Sequence, residues 1–226
     1  MKHMKHPRLP QIKGVLFDLD GTLLDTAPDF EICLNMLCVE QNQIPIDIKR
    51  LRPAVSQGTP GMLKFALQVT PDSEHYSLLQ KRFHELYAQE IGNHTTFFPD
   101  IVLLLNHLLT HNHPWGIVTN KPDRFTKRLV ENFVPLPKAH CVISGDTLKT
   151  QKPDPLPLLH ACHELNIAPE QCLYVGDAKT DIEASQNAGL ISVLAEYGYL
   201  SPDQDLKSYG ADYTIKNPRE LIALLA

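Results

Sequence analysis

Two aspartates separated by one residue, Asp18 and then Asp20, follow on the apolar run Val15, Leu16 and Phe17, and Gly21 and Thr22 come next. An uninterrupted apolar run reads as a strand buried on both faces, as in a parallel sheet covered by helices. With the chain extended through Leu19, residues two apart point the same way, so both carboxylates face one pocket while Leu19 turns into the core. Paired carboxylates divide labour. One ionises and attacks or holds a cation; the other, its pKa raised by its neighbour, gives and takes a proton. The turn at Gly21 offers backbone N–H groups as an anion-binding nest, at a strand end of the kind where open α/β sheets bind ligands. A bare D-x-D is also an ordinary polar end to a strand; the buried run before it and the Gly-Thr after it favour chemistry here.

Other residues with chemical potential are weaker. His107 and His111 stand four apart on a predicted helix, and His160 and His163 three apart, but no further ligand lies at metal-binding spacing, so they read as solvated or core histidines. His3 and His6 belong to a basic polar tail that could bind a metal adventitiously. Cys33, Cys38, Cys141, Cys162 and Cys172 form no C-x-x-C pair and read as buried free thiols of a reducing cytoplasm.

The positioning elements follow from periodicity. Thr26 with Asp29 resembles a capping box, opening a helix through Phe30, Cys33, Leu34, Leu37 and Cys38 that Pro45 ends. A shorter helix covers Asp47 to Val55, Ser56 to Gly61 is a small polar turn, and a longer helix carries Tyr76, Leu79, Phe83, Leu86, Tyr87 and Ile91. This helical block, about 26–93, interrupts an alternating pattern that resumes at Asp100. Helices are predicted at 101–109, 123–133, 155–167 and 180–188, the last closed by Gly189, with strands at 115–119, 140–144, 172–175 and 191–195 and a final helix from Asn217. The fold class is therefore α/β: a doubly wound, Rossmann-like parallel sheet core (1–25 and 94–226) with an inserted α-helical cap subdomain (26–93).

DLDGT followed by LLDTA resembles the first motif of the haloacid-dehalogenase-type phosphatase superfamily, and its later motifs are found in order. They are Thr119 in GIVTNKP, Lys152 in QKPDP, and Gly176, Asp177 and Asp181 in YVGDAKTD, so the resemblance runs from about residue 13 to about residue 200. It implies, together with the residue types, that Asp18 attacks phosphorus to form an aspartyl-phosphate while Asp20 protonates the leaving alcohol and then activates water. A carboxylate approaching a phosphate dianion needs a hard divalent cation between them, for which Mg²⁺ is the natural choice. By resemblance its ligands are Asp18, the Asp20 backbone carbonyl and Asp177, with Asp181 near or behind them; Asp181 reads equally as a charge favoured at a helix N-terminus. Thr119, by hydroxyl and N–H, and Lys152 would hold phosphoryl oxygens, with Asn120 beside them; Lys121 reads as solvated. Arg52 and the turn containing Gly58 lie where such caps meet substrate, or else are a solvated arginine and a flexible turn. Ala178, where a hydroxyl or acid is commoner, removes at most one hydrogen bond near the metal.

Composition narrows the partners. A net charge of −5 with 21 dispersed Lys and Arg residues argues against a polyanion-binding surface, so neither nucleic acid nor a membrane is expected. No stretch approaches a membrane span, and the N-terminus is not a signal peptide. The expected protein is a cytoplasmic monomer or homodimer acting on a small phosphate ester. TNKPDRF, KPDPLPLL and EYGYLSP are most similar to the phosphoglycolate phosphatases, and a similar branch hydrolyses N-acetylmuramic acid 6-phosphate. Three other readings stand behind these. They are a β-phosphoglucomutase-type phosphomutase, a dehalogenase, which needs neither second aspartate nor metal, and a phospho-aspartate signalling domain, against which the cap and Asp20 argue.

Overall fold

The structure is a computed structural model that describes residues 12–201 and 203–225; His3 and His6 lie outside the described residues. Strands β1 (Gly14–Phe17) and β2 (Leu24–Asp25) precede helices α1 (Ala27–Glu40), α2 (Ile48–Val55), α3 (Gly58–Leu67) and α4 (Tyr76–Glu90). The chain continues through β3 (Thr96–Phe97), α5 (Ile101–Thr110), β4 (Trp115–Val118), α6 (Asp123–Asn132), β5 (Cys141–Ile143) and α7 (Leu156–Leu165). It closes with β6 (Cys172–Gly176), α8 (Lys179–Ala188), β7 (Ile191–Ala195), β8 (Tyr213–Ile215) and α9 (Pro218–Leu225).

Six strands form a parallel sheet in the order β5-β4-β1-β6-β7-β8, with Val15 between Trp115 and Leu173. From β1 the chain winds outward to β5, then returns to β6 on the other side, so β1 stands at the switch point where α/β sheets open a crevice. Alternation along β1 serves two cores. Leu16 packs with Val118, Tyr174, Leu158 of α7 and Ala184 of α8, whereas Val15 and Phe17 belong to the core of Trp115, Leu105 of α5 and Leu129 of α6. The all-apolar strand is explained by helices on both faces, as expected for a doubly wound sheet.

Helices α1 to α4 leave and rejoin the sheet domain through a short antiparallel ribbon, Leu24 opposite Phe97 and Asp25 opposite Thr96. Its two-residue strands are too short to carry a period, and neither they nor the three-residue β8 are visible in the sequence pattern. The capping box expected at Thr26 and Asp29 is not formed. Thr26 donates its hydroxyl to Asp20 (2.5 Å), and Asp29, fully buried, accepts from the Gly92 N–H (2.7 Å), the His94 N–H (2.7 Å) and the Thr95 hydroxyl (2.5 Å). The carboxylate thus staples the start of α1 to the segment after α4. Asp29→Ala would strand three donors at once, for an expected loss of about 3 kcal/mol or more, read by urea unfolding; a loss below ~0.5 kcal/mol would show the staple to be idle.

A second correction concerns Ser56 to Gly61. Only Ser56 and Gln57 link α2 to α3; Gly58 supplies a positive φ of 65° where α3 begins, and Pro60 is accommodated in the first turn, where an N–H has no helical partner anyway.

Candidate active site

The carboxyl ends of β1, β4 and β6 bring the sequence-predicted residues together. Asp18 extends the β1 ladder by donating its N–H to Val175 O (2.9 Å), which aims its side chain into the crevice. Lys152, from the loop before α7, reaches the same point and is buried to 5% exposure. Its Nζ lies 2.9 Å from Asp18 Oδ1, 2.7 Å from Asp181 Oδ1, 3.1 Å from Val118 O and 2.6 Å from the Tyr174 hydroxyl, which itself donates to Val118 O. Burial alone would lower the Lys152 pKa, but the two carboxylates outweigh it and hold the ammonium above its ordinary range. Asn120 fixes the lysine backbone from both sides, donating to Lys152 O (2.9 Å) and accepting from Lys152 N (3.0 Å), so its amide, expected to meet substrate, is engaged by the protein.

Asp177, at the end of β6, is held by the Thr22 hydroxyl (3.2 Å) and the Tyr199 N–H (2.8 Å). Asp181 has one oxygen on Lys152 and the other on the Ala178 N–H (2.9 Å), so it serves the α8 N-terminus and the pocket at the same time. Gly21, at φ 85°, passes so close to Asp177 that a Cβ there would lie 2.4 Å from its Oδ2. Donor oxygens of Asp18, Asp177 and Asp181 lie within 4.8 Å of one another, all buried. Burial, opposed by Lys152 and reinforced by Asp181, pushes Asp18 up to about 6; burial, then Asp181 and Asp18, raises Asp177 well above the carboxylate range. Three buried carboxylates against one ammonium leave an excess of negative charge that a hard, oxygen-seeking divalent cation would relieve. The cluster therefore fits a divalent metal.

Asp20 faces the same crevice with different company. Lys121 Nζ contacts both its oxygens (3.0 and 3.2 Å) and the Tyr87 hydroxyl (2.7 Å), and lies over the rings of Phe30 (4.6 Å) and Tyr87 (4.7 Å). Lys121, read as solvated, is in fact buried to 7% exposure, and burial pulls its pKa down while Asp20 pulls it up. A lysine after T-N could only be placed once the aromatic helix α4 was known to lie over it. Thr119 is also only partly as expected: its N–H is taken by Ile143 O (2.9 Å), leaving the hydroxyl, which accepts from Lys121 N (3.2 Å).

Arg52 is not part of the pocket wall. Both prongs of its guanidinium bind Asp25 (3.0 and 2.7 Å), and it lies 5.6 Å from the Tyr199 ring. Tyr199 in turn accepts from the Thr26 and Ala27 N–H groups (2.6 and 2.9 Å) and donates to Asp25 (3.0 Å). One residue of the EYGYLSP segment thus joins Asp177 to the start of the helical insertion, a connection with no local signature. His107 and His111 stack on each other at 4.0 Å, and His160 faces Glu164 at 3.7 Å.

Asp18, Asp20, Thr119, Lys152, Asp177 and Asp181 open into a cavity of about 500 Å³. Its outer wall comes from the helical insertion, Ser56 to Pro60, Met62, Gln80, Phe83, His84 and Tyr87, so Gly58 does border the cavity. No helix of the described residues is long and apolar enough to cross a membrane.

A switch-point pocket with a buried acidic cluster, a lysine pinned between two carboxylates and a second aspartate two residues from the first defines an α/β phosphoryl-transfer site. Residues 15–195 match the family model described as haloacid dehalogenase-like hydrolase, and the chain belongs to that family. An N-acetylmuramic acid 6-phosphate phosphatase of Pseudomonas putida is 35% identical, over 93% of this chain and 95% of its own. A phosphoglycolate phosphatase of Xanthomonas campestris is 38% identical, over 96% of each chain. The crystal structure of a predicted phosphoglycolate phosphatase from Haemophilus somnus superposes with a TM-score of 0.85 at 22% identity, over 96% of this chain and all of that one, and shares the fold. The protein is a phosphatase of this family.

Proposed function

We propose that the protein is a Mg²⁺-dependent phosphomonoesterase for 2-phosphoglycolate in the cytoplasm, and that residues 26–93 form a cap over the pocket. The observation that carries the reading is the pair of unlike carboxylates, Asp18 pinned by Lys152 and Asp20 held by Lys121. Asp18 attacks phosphorus; the bond to the leaving oxygen breaks, and Asp20 gives that oxygen its proton. Asp20 then takes a proton from water, the water oxygen bonds to phosphorus, the Asp18–phosphorus bond breaks, and inorganic phosphate leaves with Asp18 restored. Asp18, the Asp20 carbonyl, Asp177 and Asp181 would hold Mg²⁺, which would supply the positive charge that lets a carboxylate meet a phosphate dianion. Lys152 and the Thr119 hydroxyl hold phosphoryl oxygens in line. Lys121 directs its N–H bonds at both Asp20 oxygens and the Tyr87 hydroxyl, and keeps its positive charge beside the leaving oxygen. That charge suits a carboxylate close to the leaving oxygen, as in a phosphorylated 2-hydroxy acid. The five free, buried thiols support a reducing compartment.

A second reading, N-acetylmuramic acid 6-phosphate, is favoured by the cavity, since about 500 Å³ far exceeds what glycolate fills. Phosphate release with Mg²⁺ from both esters, with glucose phosphates as controls, decides between them; a preference of about a hundredfold in kcat/KM assigns the substrate. Exhaustive chelation is expected to abolish release from either, and activity that survives it would remove the metal from the reading.

A further inference from the structure

On the outer wall of the cavity stands a polar relay with no part in the chemistry above. His84 of α4 has Nδ1 2.9 Å from the Arg124 guanidinium of α6 and Nε2 3.1 Å from the Thr59 hydroxyl oxygen of α3. A guanidinium can only donate, so Nδ1 must be the bare, accepting nitrogen. The ring is then the Nε2–H tautomer, and Nε2 donates to Thr59. Burial first, then Arg124 and Lys121, lowers the His84 pKa and keeps the ring neutral. Packing fixes its orientation: the ring meets Phe125 edge to face at 5.7 Å, and the Arg124 guanidinium lies over the Phe125 ring at 4.6 Å. Thr59 accepts from His84 and has no second partner among the described residues, while both residues line the cavity. Its hydroxyl proton is therefore free for a ligand.

The geometry points to Thr59 and His84 as a leaving-group subsite that takes a carbonyl-type acceptor oxygen, a carboxylate or an amide, at the end of the ester remote from phosphorus, with Arg124 as the positioning residue that sets the proton order. The subsite rests on the phosphatase reading of Asp18 and Asp20. It selects by sign as well as by fit. A ligand ammonium at this wall would meet an O–H donor with Lys121 and Arg124 nearby, whereas an acyl oxygen would be bonded.

A matched pair of esters tests this: N-acetylglucosamine 6-phosphate and glucosamine 6-phosphate, which differ in an amide against an ammonium. The wild-type protein is expected to favour the N-acetyl ester by about tenfold or more in kcat/KM, expressed mainly in KM. Thr59→Val should bring that ratio toward one and Thr59→Ser should keep it. Arg124→Met should lower the ratio and Arg124→Lys restore it, because only lysine still donates to Nδ1. Nitrogen-15 NMR of the histidines reads the order without turnover: His84 should be the neutral Nε2–H tautomer in the wild type and lose that preference in Arg124→Met. An unchanged ratio in Thr59→Val, a wild-type protein that hydrolyses other esters but does not discriminate this pair, or an Nδ1–H or charged His84 would each overturn the subsite. If no ester at all is hydrolysed, the phosphatase reading fails instead, and the tautomer measurement still judges the relay.

Discussion

Asp18→Asn is expected to lower kcat by at least about a thousandfold while raising the Tm of the metal-free protein. The two effects share a cause. Asp18, Asp177 and Asp181 crowd their oxygens within 4.8 Å, and Lys152 is the one cation bonded to them among the described residues. Removing the Asp18 charge lowers the net negative charge of the cluster by one, at little cost in shape, because asparagine still offers an oxygen to Lys152. Burial has already pushed Asp18 up to about 6, so at neutral pH its ionised form is held in the fold against a penalty on the order of 2 kcal/mol. Relief of that order corresponds to a Tm higher by roughly 4–8 °C in a chain of this length. Stabilisation by added Mg²⁺ should shrink at the same time. Calorimetry with and without the metal, beside a phosphate-release assay, reads all three. An active, folded Asp18→Asn protein would end the nucleophile assignment, and a lower metal-free Tm would contradict the account of the cluster as strained.

The contrast between what the sequence showed and what it hid follows from how far each interaction reaches. Val15, Leu16 and Phe17 could be read as a buried central strand because burial on both faces leaves its mark in a few consecutive residues. The positions of Asp18, Lys152, Asp177 and Asp181 were readable because DLDGT, QKPDP and YVGDAKTD resemble the family's motifs and follow one another in its order. Lys121 was misread because what buries it is Tyr87 and Phe30, over thirty residues away on α4 and α1. Asp29 and Arg52 were misread for the same reason: each has local partners to hand, a helix N-terminus or solvent, and takes distant ones instead, at Gly92 and Asp25. Tyr174 has the apolar neighbours of a core residue, yet its hydroxyl is part of the Lys152 cradle. Local pattern reveals the sheet core; the junction between the helical insertion and the sheet is built from long-range polar contacts, and those leave no period.

Lys152→Met should produce the largest loss of stability, and its pH dependence should expose why. In the wild type the lysine pKa is raised in the fold, so its contribution is fully present below the ordinary lysine value, neutral pH included, and is lost as the pH climbs from there through the raised value. Methionine fills much of the same space but leaves Asp18 and Asp181 buried without their cation, a change expected to cost about 3–5 kcal/mol, or a Tm lower by roughly 6–20 °C. The carboxylates can recover part of this by binding protons. Asp18 and Asp177 already have raised pKa values in the fold, so the folded state takes up protons at a pH where the unfolded chain does not, and metal-free stability rises as the pH falls. Without Lys152 to pull them down, they climb further, and the rise should begin at a higher pH and be steeper. Tm measured without metal from pH 8 to pH 5.5 should therefore fall far below the wild type at the alkaline end and converge on it at the acid end, with Mg²⁺ narrowing the gap at pH 8. A variant that matches the wild type at pH 8 without metal would mean that the three aspartates do not depend on Lys152 for their burial, and its role would reduce to contact with the phosphoryl group alone.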